Sequence, residues 1–173
     1  AAGRILAKNQ SAPVAKVVET MNKYSNNVIA RSLILLADTG NKVGAEHALQ
    51  QVRQQLQHDG IDDGAVVLEN GSVLSRRERV SARMMGTLLN KAYHSPYREA
   101  FWNSLPIAGV DGTLRKRFKP LTGRLHLKTG TLDNVHALAG YGVGDAGQTV
   151  SIVVMVNGKD TPQTLTQMDN LVT

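Results

Sequence analysis

The 173-residue sequence contains no cysteine. A disulfide framework and a thiolate metal site are therefore both excluded. Aromatic residues make up only 4%, so stacking platforms for single-stranded nucleic acid are scarce. Long apolar runs are missing as well. The longest, Val28 to Ala37 and Val150 to Val156, fall short of the roughly 18 residues that would suggest a membrane-spanning helix. The first residues carry no apolar stretch beside a basic one, so no signal peptide is expected here, as for a processed or truncated start. The five histidines include no pair at metal-ligand spacing, and neither a metal nor a cofactor is expected.

What remains is ordinary for a folded protein. Hydrophobic residues account for 42% and charged residues for 20%. A chain of this length buries a real core on folding. The net charge of +6 raises the question of an anionic partner. Its clusters, Arg76-Arg77-Glu78-Arg79 and Arg115-Lys116-Arg117-Phe118-Lys119, fall in turn-rich segments and read as solvated surface. No nucleic acid is expected as a partner.

Periodicity divides the chain into helices followed by strands. Pro13 opens a helix whose apolar face is Val14, Val17, Val18 and Met21. Tyr24-Ser25-Asn26-Asn27 interrupts it, since Ser and Asn compete for backbone hydrogen bonds. A second helix, from Val28 to Asp38, is apolar on nearly every side and is expected to be buried, with Gly40 as its stop. Helices are also predicted over 45–58 and 82–93, the latter capped by Ser81, with a short one over 96–104. A short strand is predicted over 65–68, then the turn Glu69-Asn70-Gly71-Ser72. Residues 105–123 read as irregular. Strands follow over 124–129, 135–143 and 148–156, with Asp145-Ala146-Gly147 as a hairpin turn and a last helix from Thr161. In the first strand Leu125 and Leu127 face one way, and Arg124, His126 and Lys128 the other. The fold class is α+β, with a mainly helical part over 1–123 and antiparallel strands plus a helix over 124–173.

Two short motifs carry chemistry. Ser25-Asn26-Asn27 is a Ser-x-Asn in the break between two helices, and Lys128-Thr129-Gly130 closes a strand. Each alone reads as a cap or a turn. In this order and on these elements they resemble two of the three signatures of the penicillin-recognising serine enzymes. The likeness extends to Leu105-Pro106-Ile107-Ala108-Gly109-Val110-Asp111-Gly112-Thr113-Leu114 with Arg117-Phe118, and to Lys128-Thr129-Gly130-Thr131-Leu132 with Ala137-Leu138-Ala139-Gly140-Tyr141. Asn70-Gly71-Ser72 with Leu74-Ser75-Arg76 adds to it. Over nearly the whole chain the sequence resembles the class C low-molecular-mass penicillin-binding proteins, of the penicillin-binding protein 4 type.

The resemblance implies the C-terminal part of a transpeptidase-like domain, in a periplasmic or cell-envelope D-alanyl-D-alanine carboxypeptidase and endopeptidase. Its partners would be peptidoglycan stem peptides ending in D-Ala-D-Ala and β-lactam antibiotics. Lys128 would supply positive charge near the substrate carboxylate, and Thr129 a hydroxyl to hydrogen-bond it. Gly130 would let the substrate backbone approach the strand edge and pair with it. Ser25 would pass a proton to the leaving amine, and Asn27 would hold the substrate amide. The Thr131 backbone N–H would form half of the oxyanion hole.

Two departures from the pattern stand out. Val73 occupies a position where the family has glycine. No serine is followed three residues later by lysine, so the nucleophilic Ser-x-x-Lys is absent from this sequence. The expectation is that an N-terminal part of the same protein carries it. The sheet here would then hold only C-terminal strands, and Val28 to Leu36 would lack part of its cover. The alternative is a non-catalytic fragment or binding module that keeps the fold.

Overall fold

The computed structural model describes residues 4–38, 44–62, 64–72 and 75–173. Six helices occur among them, α1 (Val14–Tyr24), α2 (Asn27–Leu36), α3 (Ala45–His58), α4 (Ala82–Tyr93), α5 (Arg98–Ser104) and α6 (Thr164–Asn170). Three strands, β1 (Leu125–Leu132), β2 (Val135–Val143) and β3 (Thr149–Asn157), form one antiparallel sheet in the order β1-β2-β3. The architecture is α+β, as the sequence indicates.

The sheet is apolar on both faces and is covered on both. Leu125, Leu127, Leu138, Ile152, Val154 and Val156 alternate onto one face, where Ala108, Leu114 and Phe118 from the 105–123 segment and Met168 from α6 cover them. Ala139, Tyr141 and Val153 point the other way, against Leu89 of α4 and Phe101 and Trp102 of α5. His126 lies on this second face, its ring 4.6 Å from that of Trp102. Burial pushes its pKa down, although hydrogen bonding to the Trp102 backbone opposes this. A smaller core of Ile61, Val66 and Met84 ties α3 to α4. At Gly140, β1 and β2 approach so closely that a β-carbon would lie 2.0 Å from the His126 carbonyl oxygen. Only glycine fits there, and the contact fixes β1 two residues before Lys128.

Several expectations need correction. Helix α2 contains no fully buried residue, and Val28 and Leu36 are each 74% exposed. It packs on α1 and α3 and leaves its remaining apolar surface bare. Strand β1 runs on through Leu132, because Gly130 and Thr131 keep pairing with Ala137 and His136. Lys128-Thr129-Gly130 thus sits mid-strand. The strand expected over 65–68 is only an isolated bridge between Val67 and Arg79. The 105–123 segment includes two single 3-10 turns, Gly112–Leu114 and Lys119–Leu121. The expected stop at Gly40 and the glycine-to-valine departure at Val73, with Leu74 beside it, lie outside the described residues.

Candidate active site

The break between α1 and α2 forms one wall of a cleft. Ser25 turns the chain with φ 53° and ψ 48°, in the left-handed region that few residues with a β-carbon enter. The backbone N–H groups of Ser25 and Asn26 both donate to the Met21 carbonyl, satisfying the end of α1. The Asn26 side-chain oxygen then accepts from the Ile29 N–H at 3.0 Å and caps α2. With Asn26 engaged as the cap, Ser25 and Asn27 on either side of it line the cleft.

The other wall is β1. Lys128 Nζ crosses to donate to Ser25 Oγ at 2.5 Å and also donates to the Thr129 carbonyl at 2.6 Å. Both acceptors are neutral. Among the described residues no carboxylate pairs with this ammonium. Burial lowers its pKa from the ordinary lysine value. Thr129 Oγ1 donates to Thr113 Oγ1 at 2.9 Å. Ser25, Asn27, Thr113, Thr129, Gly130 and Thr131 line a cleft of about 350 Å³. Ser25 and Lys128 also line a second hollow of about 260 Å³, together with Met21, Ala30, Gly71, Ser72 and Glu78.

The outer edge of β1 is half covered. Ala108 N–H donates to the Leu125 carbonyl at 2.9 Å, and Leu127 N–H donates to the Pro106 carbonyl at 3.0 Å. Past Leu127 the strand continues along the cleft, where an extended peptide has an edge to pair with. Gly130 is not required by packing: a β-carbon there would meet only that of Ala137, at an ordinary 3.5 Å. Of the six residues marked out by the sequence, Ser25, Asn27, Thr129, Gly130 and Thr131 therefore line one cleft, and Lys128 joins them through its bond to Ser25. Among the described residues, no group of three or more His, Asp or Glu side chains could hold a metal ion.

Three further residues were not assigned to the cleft from sequence. Thr113 touches Thr129. Lys23, two residues before Ser25, is buried and donates to Asp111 Oδ2 at 2.7 Å and to the Leu105 carbonyl at 2.9 Å. Asp111 also accepts from the Ile107 N–H at 2.9 Å through its other oxygen. The only signal in the sequence was the string 105–114 that contains Asp111 and Thr113. Nothing marked Lys23.

The sequence and this geometry match known proteins. The chain is 35% identical over 166 residues to the D-alanyl-D-alanine carboxypeptidase DacB of Haemophilus influenzae, covering 92% of this chain and 35% of that protein. It is 32% identical over 174 residues to a D-alanyl-D-alanine carboxypeptidase of Actinomadura sp., covering 95% of this chain and 32% of that protein. It thus spans about a third of the length of these curated relatives. The fold superposes on the crystal structure of penicillin binding protein 4 from H. influenzae in complex with a β-lactam. The TM-score is 0.88 at 30% identity, over 99% of this chain and 43% of that one. Residues 1–173 match one family throughout, and the chain belongs to the D-Ala-D-Ala carboxypeptidase 3 (S13) family.

Proposed function

We propose that this chain is the C-terminal portion of the transpeptidase-like domain of a serine D-alanyl-D-alanine carboxypeptidase and endopeptidase. It would act on peptidoglycan stem peptides in the periplasm or cell envelope and be acylated by β-lactams. The observation that carries the reading is the contact of Lys128 Nζ with Ser25 Oγ, made across 103 residues of a chain that belongs to this family. The nucleophilic serine and its lysine come from a part of the protein outside this sequence. That part would meet the Ser25–Lys128 pair from the side of the second hollow.

The reaction assigns each group a task. The nucleophile's hydroxyl oxygen bonds to the carbonyl carbon of the penultimate D-Ala as its proton passes to its partner lysine, from which Ser25 is resupplied, and the developing oxyanion accepts from the Thr131 backbone N–H. As the C–N bond breaks, Ser25 passes a proton to the departing D-Ala amine. Lys128 and the Thr129 hydroxyl hold the terminal carboxylate, and Asn27 holds the substrate amide. The β1 edge beside Gly130 pairs with the substrate backbone. Water then releases the acyl group and restores the serine.

The test is fluorescent-penicillin labelling of the whole gene product, with mass spectrometry to locate the adduct. A label on a serine outside these 173 residues that disappears in Lys128→Met supports the reading. Absence of any adduct on the whole gene product would leave the chain as part of a binding module that keeps the fold without acyl transfer.

A further inference from the structure

We infer that the Lys23–Asp111 ion pair, a buried ammonium on a half-buried carboxylate, is the positioning element of the cleft, fixing the Ser25 turn and the Thr113 loop in one register against Lys128 and Thr129. The inference rests on the acyl-transfer reading above and deepens it. Lys23 is 7% exposed and lies in the last turn of α1, two residues before Ser25. Its ammonium donates to Asp111 Oδ2 at 2.7 Å and to the Leu105 carbonyl at 2.9 Å. Asp111 is fixed in turn by the Ile107 N–H, 2.9 Å from Oδ1.

The next residue closes the gap between the two segments. Gly112 has φ 53°, and a β-carbon there would stand 2.6 Å from the Lys23 carbonyl oxygen. The loop therefore packs directly on the backbone of the α1 terminus. Thr113 follows, and its hydroxyl receives the Thr129 hydroxyl at 2.9 Å. The contacts form a closed circuit: Ser25, Lys23, Asp111, Thr113, Thr129, Lys128 and back to Ser25. A shift in any one member moves the Ser25–Lys128 contact.

Stability is a weak explanation for such a pair. Removing both charges together leaves no uncompensated ammonium in the interior, whereas removing Asp111 alone leaves the buried Lys23 charge without its counter-ion. What the pair adds is geometry. It joins segments 88 residues apart, at the two places that carry the cleft's walls. Lys23 and Asp111 touch neither Ser25 Oγ nor Lys128 Nζ and act through the backbone, as positioning residues.

The experiment compares Lys23→Met, Asp111→Asn and the double variant in the whole gene product. Melting temperature and the saturation kinetics of β-lactam acylation are measured well below melting. Each single variant is expected to lower both. The double variant is expected to recover melting temperature while its acylation rate constant stays about tenfold to a hundredfold below wild type, the scale of a misplaced group. A double variant that acylates at the wild-type rate would overturn the inference. So would a single variant that melts early yet acylates normally.

Amide hydrogen exchange on Lys23→Met separates this inference from the reading beneath it. Exchange over 22–27 and 111–114 should rise together. Loosening confined to 22–27 overturns the positioning role, whether or not the wild-type protein is acylated. Absence of wild-type acylation alone would sink the proposed function.

Discussion

Lys128 carries the sharpest constraint at the scale of single residues. Its ammonium is kept in a half-buried cleft with only neutral acceptors, and burial lowers its pKa from 10.5. The folded state therefore binds this proton less tightly than the unfolded state does. Between the lowered value and 10.5 the unfolded chain holds more protons on this residue, so its contribution to stability rises with pH. Below the lowered value the cost of burying the charge is present in full. Lys128→Met removes that cost. Urea unfolding of the two proteins from pH 7 to 10 should show the stability difference moving in favour of wild type as pH rises. A difference that stays flat across that range would mean that Lys128 is not desolvated as described. The left-handed Ser25 fits the same pattern, since sparsely populated backbone conformations cluster at functional sites.

Tyr141 links two elements, and its phenol is the group to titrate. It is buried on β2, and its hydroxyl donates to the Leu89 carbonyl of α4 at 2.7 Å. Burial raises its pKa to about 12. Between 10 and about 12 the folded state keeps a proton that the unfolded state releases, so stability falls as pH rises through that window. Tyr141→Phe should flatten this alkaline fall. At neutral pH it should cost roughly 0.5–1.5 kcal/mol, the ordinary value of one hydrogen bond. Chemical denaturation at neutral and alkaline pH checks both parts. An unchanged alkaline slope in the variant would assign the fall to other groups.

Much of the element order was legible because it is written in local periodicity. The break at Ser25–Asn27, the Ser81 cap and the three strands follow from turn chemistry and alternation within a few residues. The candidate cleft was legible through two motifs, each visible in three consecutive residues. Errors arose where a contact far along the chain decides the outcome. On α1 the apolar stripe led the sequence reading, yet the residues buried are Asn22 and Lys23. Asn22 bonds Ser104, 82 residues on, and Lys23 bonds Asp111, 88 residues on. Nothing in local pattern marks a lysine as interior. The end of β1 was misjudged for a related reason. Gly130 and Thr131 are poor strand signals in isolation, and it is their pairing with β2 that keeps them extended.

At the scale of the whole molecule the question is what covers α2. Its ten residues include Val28, Ile29, Leu33, Ile34, Leu35 and Leu36, a composition suited to a buried helix. Yet Val28, Leu35 and Leu36 are exposed in this chain. Apolar side chains scattered singly on a surface need no explanation, but several on one helix beside a cleft do. The chain spans about a third of its curated relatives, and in the proposal above the rest of the protein supplies the nucleophile. The same region would then lie against α2. Leu36→Glu separates the two situations. In the 173-residue chain expressed alone, the substitution should reduce binding of an apolar dye and leave the melting temperature close to wild type. In the whole gene product it should destabilise by about 2–5 kcal/mol, since it places an unpaired carboxylate in an apolar contact and removes a buried leucine. Equal and small effects in both proteins would mean that α2 faces water in the complete molecule, and the companion segment would then have to approach the cleft without touching this helix.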